Sequence, residues 1–145
     1  MSARNDIFNA AYRNDVKAIR EVVAEGVDPN AQHPGAGALP LQLACQSNSL
    51  AAIAALLDCG ADPAREFTRV SRVDARTFAT HVPLMYVQSV QAAKLLLDAG
   101  ASVEGRDELN WSPLVWDVAA GNRDLVDFLM QLLSEFRGLL PSGIC

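Results

Sequence analysis

The candidates for covalent or metal chemistry in this chain are three cysteines and two histidines: Cys45, Cys59, Cys145, His33 and His81. A cysteine nucleophile needs a nearby base and an orienting group, and a zinc site needs closely spaced pairs of Cys or His ligands. Neither pattern occurs, and the loop motifs that bind nucleotide phosphates or calcium are also missing from the sequence. The sequence therefore predicts no catalytic residue, no cofactor and no metal site. Cys45 and Cys59 are expected to be small buried hydrophobic residues.

A different chemistry, the recognition of acidic groups, is concentrated in the segment 65–82, which we call the finger. Four of the twelve basic residues of the chain lie there: Arg65, Arg69, Arg72 and Arg76. Apolar residues from Phe67 to Phe78 alternate with them, which is typical of a β-hairpin with one basic and one apolar face. Because guanidinium groups bind carboxylates in a planar fork, the finger suits a partner with an acidic patch.

The overall composition argues against several classes of protein. The 145 residues carry a formal net charge of −5, which opposes attraction to nucleic-acid phosphates and to anionic lipid. No apolar stretch is long enough to span a membrane, and the N-terminus lacks the apolar core of a signal peptide. We therefore expect a cytoplasmic protein with reduced thiols that binds neither nucleic acid nor membrane.

The elements that hold these residues are repeated helix pairs. Apolar residues recur at helical spacing in paired short runs, and a polar turn separates the two runs of each pair. Glycines close the second run of three pairs, at Gly26, Gly60 and Gly100. Proline followed by leucine opens the first run of three pairs, where the missing N–H of proline costs nothing: Pro40, Pro83 and Pro113. These helix-start and helix-end signals predict a stack of antiparallel helix pairs.

Through these glycines and Pro-Leu pairs the chain resembles an ankyrin-repeat protein, whose units open with Thr-Pro-Leu-His and recur about every 33 residues. Here the openings read Leu-Pro-Leu-Gln from Leu39, Val-Pro-Leu-Met from Val82 and Ser-Pro-Leu-Val from Ser112. The resemblance implies an all-α solenoid of four helix-turn-helix repeats with hairpin loops, in a single domain 1–137.

The repeats are expected at about 5–32, 33–65, 77–105 and 106–137. Polar residues in the first and last units indicate capping repeats and a complete array. The segment 138–145 contains glycine and proline and is expected to be a flexible tail.

Two departures from regular repeats are neighbours in the sequence. In the third unit 17 positions separate Pro83 from Gly100, where the second unit has 20, so its helix pair must be locally distorted. The finger lengthens the preceding connection, and an insertion of this kind often carries the binding face. Two interpretations of the finger stay open. In the first, the arginines and aromatic residues of the finger contact a partner. In the second, Phe67 and Phe78 fold the finger back over the short repeat.

The resemblance implies that a partner binds the concave surface, formed by the hairpin tips and the exposed sides of the leading helices. Together with the finger, this predicts the following partner-binding residues: Gln46, Phe67, Arg69, Arg72, Arg76, Tyr86, Arg106, Glu108, Trp111 and Trp116. Trp111 lies at a hairpin tip, whereas core packing is the alternative for Trp116 on its helix. Asp117 replaces a small alanine of other units, so a hydrogen-bond partner is expected beside it.

The predicted function is a protein-interaction module that binds one protein partner and is monomeric when free. Such an array is expected to act by occupying a surface, as an adaptor, an inhibitor or an antitoxin-like neutraliser. A cysteine-dependent enzyme and a nucleic-acid binder are the alternatives. The first would pair Cys45 or Cys59 with His33 or His81 as base, but no glycine-rich turn or orienting third group occurs at recognisable spacing. The acidic charge disfavours the second.

Overall fold

A computed structural model describes residues 3–33, 37–70, 78–104, 106–107 and 109–138. These residues form seven α-helices, one turn of 3-10 helix and a two-stranded sheet. The helices are α1 Ala3–Tyr12, α2 Val16–Ala24, α3 Pro40–Gln46, α4 Leu50–Asp58, α5 Val90–Asp98, α6 Pro113–Ala120 and α7 Arg123–Gly138. The 3-10 turn is Pro83–Tyr86, and the strands are β1 Phe67–Val70 and β2 Phe78–His81.

The elements form four successive pairs, namely α1 with α2, α3 with α4, the 3-10 turn with α5, and α6 with α7. The leading elements pack on one another, since α3 contacts both α1 and the 3-10 turn, and that turn contacts α6. The trailing helices form a second row in which α4 contacts α2 and α5, and α5 contacts α7. A mainly aliphatic core runs along the array, and its largest buried members include Ile7, Ile19, Leu41, Ile53, Leu84, Leu96 and Leu125. This stack confirms the predicted helical solenoid, to which the described residues add one β-hairpin.

Glycine closes three trailing helices because the chain takes a left-handed turn there. The φ angle is 102° at Gly26 and Gly60 and 110° at Gly100, a region that residues with a Cβ rarely adopt. Pro40 and Pro113 occupy the first turns of α3 and α6, where no intrahelical N–H bond is lost. The helix boundaries predicted from glycine and proline are therefore confirmed.

Side-chain amides join the first and second repeats at both edges of the stack. At the edge formed by the helix-to-helix turns, Asn14 Oδ1 accepts the backbone N–H of Ala52 at 2.8 Å. At the hairpin edge, Asn30 Oδ1 accepts the N–H of Asp62 at 2.7 Å, and its Nδ2 donates to the carbonyl of Gly60 at 3.2 Å. These bonds fix the spacing of neighbouring repeats beyond what apolar packing alone would define.

The third repeat is distorted, as its length predicts. Its leading element is four residues of 3-10 helix, where the second repeat has the seven residues of α3. Val87 then takes an extended conformation, and Ser89 caps α5 by accepting the N–H of Ala92 at 3.1 Å. The shorter unit leaves no room for a second helical turn before α5 begins.

The finger contains the β-hairpin that its alternation indicates. β1 and β2 pair antiparallel, with Phe67 opposite His81 and Val70 opposite Phe78. Arg72 and Arg76 lie between these strands, outside the described residues. The predicted tail 138–145 also lies outside them, except for Gly138, which is the last residue of α7.

The fourth repeat has an uncovered side. Val118 occupies the position in α6 that Cys45 occupies in α3, yet Val118 is 59% exposed and Cys45 is completely buried. The third repeat packs on α3, whereas α6 has no following repeat in the described part of the chain. None of the helices described is both long and apolar enough to cross a membrane.

Candidate protein-binding surface

The finger is anchored on the third repeat through its first strand residue. Phe67 is 1% exposed, and its ring centroid lies 5.4 Å from that of Tyr86 and 6.1 Å from that of His81. Tyr86 is also buried, and its hydroxyl lies 2.7 Å from Nδ1 of His81. Burial corrects the expectation that Phe67 and Tyr86 offer surface to a partner, because their rings fill the core beside the short 3-10 turn. For Phe67, the interpretation in which the finger folds back over the third repeat therefore describes the structure.

The aromatic packing continues into the fourth repeat through Trp116. Its ring centroid lies 5.1 Å from that of Tyr86 and 5.4 Å from that of His81. We call Phe67, His81, Tyr86 and Trp116 the aromatic cluster. Trp116 is half-buried, and its Nε1 donates a hydrogen bond to Oδ2 of Asp107 at 2.8 Å. Core packing is thus the main role that the structure gives Trp116.

Asp107 connects the aromatic cluster to the last hairpin tip. Its Oδ1 accepts the backbone N–H groups of Leu109 and Trp111, both at 2.9 Å, while Oδ2 binds Trp116. Its own N–H donates to the carbonyl of Trp111 at 3.1 Å, and Asn110 has a φ of 62° that completes the tight turn. Sequence reasoning missed Asp107, although an aspartate before Asn-Trp at a predicted tip is a signal for such a side-chain-capped turn.

The other predicted contact residues of the described part differ in their surroundings. Gln46 is exposed at the end of α3, and its Oε1 accepts a hydrogen bond from Nε2 of buried Gln42 at 2.7 Å. Arg106 is exposed, and its Nη1 donates to the carbonyl of Glu104 at 2.9 Å. Trp111 is half-buried at the tip that Asp107 holds.

The remaining predicted contact residues lie in or near the end of the finger and at the tip. Arg69 lies in β1, where its backbone pairs with Ala79. Arg72, Arg76 and Glu108 fall outside the described residues. The structure therefore brings Phe67, Tyr86, Trp111 and Trp116 into one unit and leaves Gln46 on the separate helix α3.

Asp117 is the least expected buried group. It is 3% exposed, and its Oδ2 has no hydrogen-bond partner among the described residues, contrary to the partner expected beside it. Burial raises the pKa of Asp117 to about 7, because the charged carboxylate loses its hydration. Burial of the charged carboxylate therefore lowers the stability of the fourth repeat.

The two cysteines of the described residues are Cys45 and Cys59. Cys45 is completely buried, and this burial raises the pKa of its thiol, away from the thiolate that a nucleophile requires. Cys59 is half-buried at the C-terminal end of α4. Within the described residues, no group of three His, Cys, Asp or Glu side chains is placed to hold a metal ion.

The stacked helix pairs, with protruding hairpin tips and a finger at one edge, define a repeat scaffold of the kind that binds other proteins. A family model described as Ankyrin repeats (3 copies) matches residues 7–107. The chain therefore belongs to the ankyrin-repeat family, and α6 and α7 add a fourth helix pair beyond the matched residues. No match was found among curated proteins. Ankyrin repeats are in general modules of protein–protein interaction rather than enzymes.

Proposed function

We propose that this protein binds one protein partner on the face formed by its leading helices, its hairpin tips and the finger. The observation that carries the proposal is the continuous chain of contacts from Phe67 through Tyr86 and Trp116 to Asp107. This chain attaches the root of the finger and the tip that bears Trp111 to one core. A partner that contacts both therefore meets a surface that is already ordered, which lowers the entropy cost of binding.

The proposed partner presents acidic groups to the finger. Arg69, Arg72 and Arg76 concentrate positive charge in a chain whose formal net charge is −5. Planar guanidinium groups suit carboxylates, and Trp111 offers apolar contact area at the neighbouring tip. Because part of the attraction is ionic, we expect the affinity to fall as the salt concentration rises.

The proposed action is to occupy a surface of the partner, as an adaptor or as an inhibitor, including an antitoxin-like neutraliser. We propose no catalytic role, because burial holds the Cys45 thiol in its protonated form. We propose a cytoplasmic location, because Cys45 and Cys59 are free thiols that suit a reducing compartment. We also propose that the protein is monomeric when no partner is bound. The molar mass of the purified protein, measured by light scattering, tests whether the free protein is monomeric.

The test is affinity capture of the partner, followed by measurement of its dissociation constant with the variant Arg69→Ala/Arg72→Ala/Trp111→Ala. We expect this triple change to weaken binding by more than about tenfold, because Trp and Arg are frequent hot-spot residues. The matched control is Arg20→Ala/Arg123→Ala/Met130→Ala, which also removes two arginines and one large apolar residue, but from the trailing helices α2 and α7 outside the proposed face. Equal binding by both variants would show that the interface lies elsewhere.

A further inference from the structure

The last trailing helix differs from the other trailing helices in length. The helices α2, α4 and α5 each have nine residues, whereas α7 has sixteen. In the earlier repeats the chain turns away after a glycine, but α7 continues and places Leu132, Leu133 and Glu135 beside the turn that follows α5. A groove of about 590 Å³ lies between this extension and the segment from Leu97 to Glu104.

The groove continues toward the root of the finger. A second cavity of about 280 Å³ shares Ala101, Ser102 and Glu104 with the first and extends to Glu66 and Leu84. The two cavities together form one surface depression, which we call the α7 groove. It is formed by the ends of α5 and α7, the connections that follow α4 and α5, and Leu84 of the 3-10 turn, and it contains none of the proposed partner-binding residues.

The lining of the α7 groove combines apolar and acidic side chains. The apolar part includes Leu97, Val103, Leu132 and Leu133, which are partly buried and leave some surface open. Three exposed carboxylates stand around it, Glu66, Glu104 and Glu135, and none of the described residues that line it is a lysine or an arginine. Arg106 is exposed and is not among the lining residues, and its Nη1 donates to the backbone carbonyl of Glu104.

The corresponding place between the first and second repeats has a different character. That cavity, of about 540 Å³, is lined mainly by polar residues, including Asp28, Asn30 and Gln32, together with Arg65. The combination of open leucine surface and acidic rim is therefore a property of the α7 end rather than of every repeat.

We propose that the α7 groove binds a second protein ligand, a short peptide segment that carries apolar side chains flanked by lysine or arginine. The leucines accept the apolar side chains, and Glu66, Glu104 and Glu135 attract the flanking cations. A lipid surface is a poorer occupant, because anionic headgroups would meet these carboxylates. The ligand is opposite in charge to the acidic partner proposed for the finger, so the two sites select different segments.

The test uses a fluorescein-labelled synthetic peptide of leucine and lysine, and a control peptide in which uncharged glutamine replaces each lysine. Fluorescence anisotropy with the full chain should show binding of the lysine peptide only. The variant Glu104→Gln/Glu135→Gln should weaken this binding about tenfold, since two exposed ion pairs are lost. The control variant Glu25→Gln/Asp127→Asn removes the same charge outside the groove and should bind as the unchanged chain does.

Amide chemical shifts from NMR then locate the peptide. We expect the largest changes at residues 101–104 and 132–135, and changes confined to α1–α4 or to the tip 107–111 would overturn the proposal. Equal weakening by both variants would also overturn it. Contacts between Leu133 and residues 139–145 of the free chain would show that the chain itself occupies the groove, which again contradicts a partner peptide. Because these variants leave the finger unchanged, each of these three failures leaves the proposed function in place.

Discussion

The first two repeats and the last two repeats build the same stack of helix pairs with different interactions. In the first half, the crowded position between the helices of a pair holds Ala10 and Ala44, and the surrounding core is mainly aliphatic, with Phe8 packed against His33 as an exception. In the second half the same position holds Val87 and Asp117, and much of the packing comes from the aromatic cluster. The core of the first half thus packs mainly small and branched side chains, whereas the second half adds contacts among aromatic rings and the hydrogen bond from Trp116 to Asp107.

This difference has consequences for tolerance to change. An aliphatic core accepts side chains of similar volume, whereas a network of aromatic contacts and hydrogen bonds loses several contacts when one member is removed. Repeats contact mainly their neighbours, so damage in one half can stay local. The irregular half is also the one that carries the finger and the tip 107–111, so the directed contacts lie where binding is proposed.

The largest expected effect is that of Phe67→Ala. We expect a loss of about 3–5 kcal/mol in the free energy of unfolding, because the ring is 1% exposed and contacts His81 and Tyr86. Hydrogen exchange should show lost protection in the 3-10 turn and near Trp111, while α1–α4 keep theirs. The comparison variant Ile53→Ala removes a fully buried side chain of α4 and should weaken the first half instead. If both variants open both halves equally, the two halves are one cooperative unit.

The next effect concerns Asp117 and depends on pH. An unfolded aspartate has a pKa near 3.9, and burial raises the pKa of folded Asp117 to about 7. Between these values the unfolded chain releases a proton that the folded chain keeps. The contribution of protonated Asp117 to the free energy of unfolding is therefore fully present below about pH 4 and is lost as the pH rises to about 7.

We therefore expect Asp117→Asn to raise the free energy of unfolding by about 2–4 kcal/mol at pH 8 and by much less at pH 4. Urea unfolding at both pH values measures the difference. Asp127→Asn on the exposed side of α7 is the control and should change little at either pH. A gain from Asp117→Asn that is equal at both pH values would contradict a buried charge as its cause.

The regular half could be predicted because its signals are local. Gly26 and Gly60 mark left-handed turns, Pro40 marks the start of a helix, and each acts within a few residues of the chain. The distortion of the third repeat was also predictable, since the distance from Pro83 to Gly100 in the sequence shows the missing residues.

The aromatic cluster could not be predicted from local signals. Phe67, Tyr86 and Trp116 come from three elements, and their meeting depends on how the finger folds back over a short repeat. The sequence left open whether Phe67 faces the core or a partner, because an aromatic residue beside arginines fits both. Asp107 was missed for a related reason, since its hydrogen bond to Trp116 joins a tip to a helix.

Trp116→Phe tests the directed contacts with a smaller expected effect. The change keeps an aromatic ring but removes the N–H that donates to Oδ2 of Asp107 at 2.8 Å. We expect a loss of about 1.5–3 kcal/mol in the free energy of unfolding, because a hydrogen bond to a charged acceptor is broken. Amide NMR signals of Leu109 and Trp111 should also shift, since Asp107 accepts both N–H groups. Unchanged signals at the tip would show that Asp107 holds it without Trp116.

The smallest expected effect is that of Val118→Ser, which compares the two halves at one position of the repeat. Val118 and Cys45 occupy the same place in α6 and α3, but Val118 is 59% exposed and Cys45 is completely buried. Serine has a helix propensity close to that of valine and of cysteine, so burial is the main difference between the two sites. Val118→Ser should change the free energy of unfolding by less than about 0.5 kcal/mol, and Cys45→Ser should cost about 1–3 kcal/mol. Urea unfolding of both variants measures this difference. A cost at Val118 as large as that at Cys45 would mean that the uncovered side of α6 is buried in solution.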